Sequence, residues 1–288
     1  GLYNRGLWSL RRDIAAMTGL KPAPRFFTAR GLTAIAGWGY KPTAWRARTM
    51  AQRHGLTYLA VEEGFICGRP MGSAAPSLSY VCDPVGIYYD ASRPSQLEAL
   101  ILKRACNPAT AAADAAAVRQ AIGECGISKY TTLAGNPASS PPRARRDRPA
   151  VLVIDQTVGD PAVSGAGATS DNFKAMLAAA AAENPGCDLL IKTHPRTLRG
   201  QRRGYLGRTM LARAAAADPC IGAADAAGRM IVLDAPVTPR DLARDIVRAY
   251  TVSSLLGLEL LLQGVPVTTF GNSFYAGWRL TDDRVPGT

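Results

Sequence analysis

Polar side chains that could take part in catalysis follow four short apolar runs of this 288-residue chain. The four loops are Glu62-Glu63-Gly64, Gln156 to Asp160, His194-Pro195 and the segment that begins at Gly271. In parallel α/β sheets, ligands bind at the carboxyl ends of the strands. Polar loops in this same position in both halves of the chain therefore indicate one convergent cleft.

Asp160 and His194 are the candidates for the centre of the chemistry. Asp160 follows Gly159, which lets the backbone turn sharply and approach a ligand, although a helix cap would use the same residues. Pro195 suits the first position of a helix, so a phosphate could meet both the His194 imidazole and free backbone amides. A purely structural histidine is the alternative.

Hydroxyl and cationic side chains lie beside these two candidates. Ser253 and Ser254 precede the apolar segment LLGLELLLQG, where they could cap a helix and also hydrogen-bond a phosphate at its positive end. Lys192, Arg196 and Arg199 flank the histidine and would suit a carboxylate or phosphate of a sugar. Taken singly, each of these residues also fits an ordinary cap or surface charge.

Several reaction classes lose support from missing motifs. The sequence has no G-x-x-x-x-G-K-[ST], G-x-G-x-x-G or G-x-S-x-G segment, which disfavours P-loop phosphoryl transfer, dinucleotide binding and a nucleophilic serine hydrolase. Two histidines and six scattered cysteines without a C-x-x-C pair offer almost no ligands for zinc, and we predict no metal. The cysteine pattern also favours a reducing cytoplasm.

The composition is that of a globular protein with affinity for anions. Apolar residues make up 47% of the chain, yet no apolar run approaches the roughly 20 residues that span a bilayer. A net charge of +12 attracts nucleic acid, acidic lipid headgroups, and phosphorylated or carboxylated small molecules alike. The charge alone does not choose among them.

The order of predicted elements indicates two α/β domains. Predicted strands are residues 32–36, 57–61, 150–154, 188–192, 230–233 and 266–270, and predicted helices are 43–54, 94–104, 170–183, 209–217, 239–249 and 253–262. Such alternation predicts parallel sheets with helices on both faces, as in Rossmann-like domains. The proline-rich and charged segment NPASSPPRARRDRP reads as a linker. We therefore expect a domain at 1–140, a linker at 141–149 and a second domain at 150–288, facing one another across a cleft.

Longer strings resemble the capsule polysaccharide β-Kdo transferases of Gram-negative bacteria (KpsC/LipB type). They are GWGYKPTAWRARTMAQRHGLTYLAVEEGF, PSLSYVCDPVGIYYDASRPSQLEALI, VLVIDQTVGDPAV, IKTHP and SSLLGLELLLQGVPVTTFGNSFYAGWRLTDD, and together they cover nearly the whole chain. The resemblance is closest to the amino-terminal of the two transferase modules that these proteins often carry. It implies a GT-B-like fold, CMP-β-Kdo as the donor co-substrate, and no cofactor.

The resemblance also implies roles for the candidate residues. Transfer would retain configuration, and we favour a double displacement with Asp160 as nucleophile and Glu62 or Glu63 as acid/base. His194 would take part in catalysis by contacting the phosphate of the CMP leaving group. The implied donor-binding residues are Gln156, Gly159, Lys192, His194, Pro195, Arg196, Ser253, Ser254 and Glu259.

The implied acceptor is a Kdo-terminated oligosaccharide or anionic glycolipid with a phosphatidylglycerol-type lipid. Such an enzyme would work in the cytoplasm at the inner-membrane surface, with other capsule assembly proteins as further partners and without nucleic acid. Two rivals stay open at this point. One is a GT-B transferase or epimerase that uses CMP-sialic acid or a UDP-sugar, and the other is a non-catalytic module that binds anionic lipid or nucleic acid.

Two departures from the family pattern bear on acceptor specificity. The family more usually has EDGF followed by LRS, whereas this chain has EEGF followed by Ile66-Cys67-Gly68, so a basic residue is missing or displaced to Arg69. Arg279 stands in GWRL where the family usually has the glycine of GWGL.

Overall fold

The chain folds into two α/β lobes, each built on its own sheet. A computed structural model describes residues 1–2, 5–24, 29–67, 77, 79–106, 108–126, 128–129, 148–234 and 237–285. One sheet has three strands and the other has six. We call residues 1–126 the first lobe and residues 148–285 the second lobe. The linker predicted at 141–149 lies almost wholly outside the described residues, so that domain division stays a prediction.

The first lobe is a small mixed sheet with helices around it. Its strands are β1 (Ala34–Trp38), β2 (Thr57–Glu63) and β3 (Tyr80–Asp83), and its helices are α1 (Arg5–Ser9), α2 (Arg11–Thr18), α3 (Trp45–Arg53), α4 (Gln96–Ala105) and α5 (Pro108–Cys125). Strands β1 and β2 pair in parallel, with α3 between them in sequence, whereas β3 runs antiparallel to β2.

The antiparallel pairing corrects the predicted end of β2. Glu62 pairs with Val81 and Glu63 pairs with Tyr80, so both glutamates belong to the strand and not to a loop beyond it. The prediction was wrong because these pairings with β3 are long-range contacts that local sequence does not reveal. Since alternate residues of a strand point to opposite faces, Glu62 and Glu63 face different surroundings.

The second lobe is a six-stranded parallel sheet with the strand order β6-β5-β4-β7-β8-β9. The strands are β4 (Ala150–Ile154), β5 (Asp188–Lys192), β6 (Met230–Leu233), β7 (Ile246–Thr251), β8 (Val267–Thr269) and β9 (Asp282–Asp283). The helices are α6 (Pro161–Gly165), α7 (Ser170–Glu183), α8 (Pro195–Leu198), α9 (Arg208–Ala217), α10 (Pro219–Ala226), α11 (Pro239–Asp245) and α12 (Leu255–Leu262). All residues of β4 and β5 are buried, which explains the apolar character of β4 and of the centre of β5.

Strand β7 was not predicted from the sequence. The helix expected at 239–249 ends at Asp245, and the next six residues form a strand in the middle of the sheet, between β4 and β8. Ile246, Val247 and Tyr250 are β-branched or aromatic residues, which favour a strand. Tyr250 is fully buried there, so tertiary packing overrides the helical appearance of the segment.

The two lobes touch along the carboxyl ends of their strands. The Ala91 N–H donates a hydrogen bond to the Gly165 carbonyl at 2.8 Å. Phe65 of the first lobe stacks on Phe274 of the second with 4.9 Å between ring centroids, and Tyr88 packs edge-on against both rings. The lobes therefore meet beside the loops that carry the candidate residues.

Gly165 makes this lobe contact possible, because a Cβ atom there would overlap the Tyr89 carbonyl oxygen. We expect Gly165→Ala to lower the free energy of unfolding by about 1–3 kcal/mol, since backbone must move to admit the methyl group. Urea unfolding followed by circular dichroism measures the change. Gly186→Ala is the control, because a Cβ at Gly186 meets no atom within 4 Å. Equal stability of the two variants would contradict the prediction.

Candidate active site

The candidate residues collect at the point where the order of the second sheet reverses. From β4 the chain continues to β5 and β6 on one side, and later returns to β7 and β8 on the other. Ligands of open α/β sheets bind in the crevice at such a switch point. The loops after β4, β5 and β7 contain Asp160, His194 and Ser254, so the fold brings these residues to one edge.

Asp160 both caps a helix and keeps part of its carboxylate available. It is the N-cap of α6, and its Oδ1 accepts a hydrogen bond from the Ala162 N–H at 3.0 Å. The preceding Gly159 has a φ of 80°, a left-handed conformation that favours glycine. The two sequence interpretations, helix cap and reactive carboxylate, are thus compatible in one residue.

His194 is held as a neutral imidazole next to Asp160. Its Nδ1 accepts a hydrogen bond from the Arg196 N–H at 3.1 Å, which places the proton of the neutral ring on Nε2. Burial lowers the pKa of His194 to about 4; the nearby charge of Asp160 opposes this shift, whereas Arg196, Lys129 and Lys192 reinforce it. At neutral pH the ring therefore offers an Nε2–H donor without a charge.

Three of the predicted residues are N-caps on the same edge of the sheet: Asp160 for α6, His194 for α8 and Ser254 for α12. The Ser254 Oγ accepts the Leu256 N–H at 3.3 Å. Each helix follows a parallel strand, so the three helices begin at the carboxyl edge. Amides of first helical turns carry partial positive charge and favour an anion there.

Gln156 and Ser253 form a buried network that positions the loops. The Gln156 Oε1 accepts the Ser253 N–H at 2.9 Å, and the Gln156 Nε2 donates to the Ser253 Oγ at 3.2 Å. The Ser253 hydroxyl also donates to the Ala162 carbonyl at 3.0 Å. These bonds join the loops after β4 and β7 to α6, the helix that Asp160 caps. Contact of either side chain with a donor sugar stays a prediction.

Lys192 supplies a buried cation at the end of β5. Its Nζ donates to the Thr193 carbonyl at 3.3 Å, and burial lowers the pKa of its ammonium group to about 8. Arg196, by contrast, is exposed in the first turn of α8. Both cations act on the His194 ring, so the surroundings of this histidine are electropositive.

The first lobe contributes Glu62 from the opposite side. Glu62 forms an ion pair with Lys41 at 2.9 Å, and its side chain is 12% exposed. The other glutamate, Glu63, has its Oε2 4.0 Å from the Cys67 Sγ, which donates to it. The two glutamates therefore have different neighbours, as their positions on a strand require.

Tyr88 interacts electrostatically with an acidic side chain from each lobe, Glu62 and Asp160. Burial raises its pKa to about 12; the charge of Lys129 opposes the shift, and the charges of Glu62 and Asp160 add to it. One phenol thus lies within electrostatic reach of a carboxylate from each lobe. Asp160 also acts on His194, so electrostatic interactions connect Glu62, Tyr88, Asp160 and His194 in sequence, and their action in one active site stays a prediction.

Sequence reasoning missed three residues of this region. Tyr88 and Lys129 carry no recognisable motif of their own, because only the folded arrangement places them beside the candidates. Asp155 did carry a signal, since it directly follows β4. Its buried Oδ1 accepts the amides of Gln156, Tyr205 and Leu206 at 2.9, 2.9 and 3.0 Å, and burial raises its pKa to about 6. Asp155 therefore shapes the loop that leads to Asp160.

Glu259 lies on α12 at the edge of the site. Its Oε1 accepts the Lys129 N–H at 2.7 Å, which ties the chain after α5 to the second lobe. Burial raises the pKa of this carboxyl group to about 7. Donor binding by Glu259 stays a prediction. Its hydrogen bond with Lys129 has a structural role.

Glu259 should make stability depend on pH. Between its ordinary pKa of 4.5 and its folded value of about 7, the folded state holds a proton that the unfolded state lacks. Stability from this group is therefore present at low pH and lost as pH rises through this window. We expect Glu259→Gln, measured by urea unfolding, to gain stability relative to the unchanged protein between pH 5 and pH 8. Glu98→Gln, a substitution at an exposed glutamate, is the control and should show no such gain. A lack of gain in Glu259→Gln as well would contradict the prediction.

Comparison with known proteins assigns the chain to a family. The family model described as capsule polysaccharide biosynthesis protein matches residues 33–131 and 128–287. The chain belongs to this family. The resemblance seen in the sequence strings is confirmed at this level.

Similar proteins of this capsule family come from several bacteria. The capsule polysaccharide modification protein LipA of Neisseria meningitidis serogroup A is 38% identical over 258 residues, which are 89% of this chain and 34% of LipA. The lipopolysaccharide-processing protein LpsZ of Rhizobium meliloti is 31% identical over 267 residues, 91% of this chain and 54% of LpsZ. The chain thus spans about a third of the length of LipA.

Solved structures of KpsC share the fold of this capsule-family chain. The β-Kdo 2,4 transferase of Thermosulfurimonas dismutans KpsC superposes with a TM-score of 0.83 at 37% identity, covering 98% of this chain and 83% of that chain. Its β-Kdo 2,7 transferase superposes with a TM-score of 0.62 at 21% identity, covering 99% of this chain and 83% of that one. The second likeness concerns the fold alone.

Groups of metal ligands and membrane-spanning helices are both absent from the described ranges. There, no three His, Cys, Asp or Glu side chains gather as ligands for a metal ion, and metal independence stays a prediction. None of the helices in that part of the chain combines the length and apolar character needed to cross a bilayer. Arg69, to which the missing basic residue could be displaced, lies outside the described residues.

Proposed function

We propose that the chain is a retaining glycosyltransferase of capsule polysaccharide biosynthesis that transfers β-Kdo from CMP-β-Kdo to a Kdo-terminated acceptor. The observation that carries this proposal is that Asp160 lies beside His194 at the sheet switch point and shares with Glu62 of the first lobe an electrostatic interaction with Tyr88. The likeness to the KpsC β-Kdo 2,4 transferase supports the choice of sugar.

In this proposal the second lobe binds the CMP-sugar donor. The neutral His194 donates from Nε2 to the phosphate, and the first-turn amides of α6, α8 and α12 add partial positive charge. Lys192 lies close by as a buried cation. A single phosphate can be neutralised by these groups, so the reaction is proposed to require neither a divalent metal nor another cofactor.

The proposed reaction is a double displacement. Asp160 attacks the anomeric carbon as the bond to the CMP phosphate oxygen breaks, and CMP leaves with the bonding electron pair. An acceptor hydroxyl then attacks the same carbon, the bond to Asp160 breaks, and Glu62 takes the hydroxyl proton. Two inversions give net retention. Glu62 is preferred over Glu63 as the acid/base group because its charge, like that of Asp160, reaches Tyr88.

The two lobes are proposed to work as a GT-B enzyme, with the donor on the second lobe and the acceptor on the first. The acceptor is an anionic glycolipid or Kdo-oligosaccharide, which suits a chain of net charge +12. Work at the cytoplasmic surface of the inner membrane, beside other capsule assembly proteins, belongs to the same proposal.

One assay tests the proposed activity directly. The protein is incubated with a CMP-Kdo generating system and a synthetic Kdo-terminated acceptor, and the product linkage is determined by NMR. We expect one added Kdo with the β configuration. A folded protein that gives no product, or a product with the α configuration, would overturn the proposal. Thermal-shift measurements with CMP, UDP and GDP separate the rivals, because only a cytidine-selective shift agrees with a CMP-sugar donor.

A further inference from the structure

A cavity lies on the first lobe, apart from the donor site that is proposed on the second lobe. It has a volume of about 380 Å³ and opens to solvent between the turn after β1, helix α3 and the segment before α4. Tyr40, Trp45, Arg48, Tyr58 and Arg93 form its aromatic and cationic lining. The proposed donor chemistry uses none of these side chains.

The aromatic wall of this cavity is fixed by hydrogen bonds. Tyr40 and Tyr58 meet edge-on, with 5.7 Å between ring centroids. The Tyr58 hydroxyl donates to the Gly39 carbonyl at 2.6 Å, and the Tyr40 N–H donates to the Tyr89 hydroxyl oxygen at 2.9 Å. Trp45 remains 54% exposed at the cavity. Rigid rings with free area offer an apolar surface to the face of a ligand.

Two guanidinium groups, those of Arg48 and Arg93, lie over the ring of Tyr40. The Arg48 and Arg93 Cζ atoms lie 5.2 and 4.9 Å from its centroid. Arg93 uses its Nε for an ion pair with Asp90 at 3.2 Å. Within the described residues Arg48 has no carboxylate partner, and its buried Nε lacks a hydrogen-bond acceptor. Two cations beside one carboxylate leave positive charge for an anion.

The cavity adjoins the candidate acid/base residue. The Tyr58 hydroxyl bonds to the carbonyl of Gly39, the residue before Tyr40, and a Cβ at Gly39 would lie 3.0 Å from the Glu62 Oε2. Tyr89, which accepts the Tyr40 N–H, is next in sequence to Tyr88. A sugar in this cavity would therefore have its neighbouring unit close to Glu62.

We infer that this cavity binds an anionic sugar unit, with its carboxylate or phosphate on Arg48 and Arg93 and its ring against Tyr40 and Trp45. The inference rests on the proposed function in one respect: the bound unit is taken to belong to the acceptor. The anion has two possible sources, a sugar carboxylate such as that of Kdo or a sugar phosphate. Both would use the same guanidinium pair.

Binding of small sugars without any donor tests the inference. The probes are the methyl glycoside of Kdo, its neutral methyl ester, glucose 1-phosphate and methyl glucoside, followed by calorimetry or saturation-transfer NMR. We expect an anionic probe to bind more tightly than its neutral counterpart. Arg48→Gln and Arg93→Gln should each weaken that binding by about tenfold or more. Arg53→Gln, at an exposed arginine of the same helix, should leave it unchanged.

The outcomes are distinct from those for the proposed function. Binding of the Kdo glycoside alone identifies a carboxylate site and binding of glucose 1-phosphate alone a phosphate site, and either supports the inference. Equal binding of charged and neutral probes, or wild-type affinity in Arg48→Gln and Arg93→Gln, overturns it. CMP affinity measured in parallel reports on the second lobe. Normal CMP binding without sugar binding defeats the inference and leaves the proposed donor site untouched.

If Arg48→Gln fails to fold by circular dichroism, the half-exposed Arg93 carries the test.

Discussion

Asp160→Asn should abolish sugar transfer, with a loss of at least about 1,000-fold in kcat, while CMP affinity stays within a few-fold of the unchanged protein. The amide cannot form the covalent bond to the anomeric carbon that the proposed reaction needs. Asparagine caps helices about as well as aspartate, so the bond to the Ala162 N–H and the start of α6 are preserved. The measurement is a transfer assay beside calorimetry with CMP.

The chain offers a matched control for this substitution. Asp218 is also an N-cap followed by proline, at the start of α10, and it accepts the Cys220 N–H at 2.8 Å. Asp218→Asn makes the same chemical change in the same local motif and should leave transfer unaffected. Turnover by Asp160→Asn comparable to that of Asp218→Asn would rule out the nucleophilic role.

His194→Asn should lower kcat/KM by about 100- to 1,000-fold and weaken CMP binding, because the leaving phosphate loses the Nε2–H donor. The asparagine Oδ1 can still accept the Arg196 N–H, so the cap of α8 is retained. Because the pKa of His194 lies near 4, the ring carries no charge above pH 6. The affinity ratio between the two proteins should therefore be constant from pH 6 to pH 8.

His54 provides the comparison for this second variant. It is the other histidine of the chain and lies exposed at the end of α3, so His54→Asn should bind CMP normally. Unchanged CMP affinity in His194→Asn by calorimetry would count against the phosphate contact. An affinity ratio that grows as pH falls below 7 would instead indicate a charged imidazole.

The sequence alone located three strands of the second lobe accurately. Residues 150–154, 188–192 and 230–233 were predicted as strands and form β4, β5 and β6 with those bounds. Their apolar runs end at turns or polar residues that mark the boundaries. Strand β7 was missed because Arg248 interrupts its apolar pattern, and its pairing with β4 and β8 joins residues far apart in sequence.

The sequence located candidate residues that lie after strand ends, and it did not locate residues whose placement depends on contacts between the lobes. Asp160 and His194 were located because each lies in the loop that follows an apolar run. Tyr88 and Lys129 reach the site only through the contact between lobes, which no local pattern encodes. The proposed choice of Glu62 over Glu63 likewise rests on the interaction of Glu62 with Tyr88, which no local pattern encodes.

Arg279 has a φ of 63°, a left-handed backbone conformation that favours glycine. The Asp283 carboxylate holds this loop by accepting the Gly277 N–H at 2.8 Å and the Thr281 hydroxyl at 2.5 Å. Neither hydrogen bond involves the Arg279 side chain, so the shape of the loop does not depend on that side chain. The loop therefore carries the positive charge of Arg279 at its surface, at a conformational cost of about 1 kcal/mol.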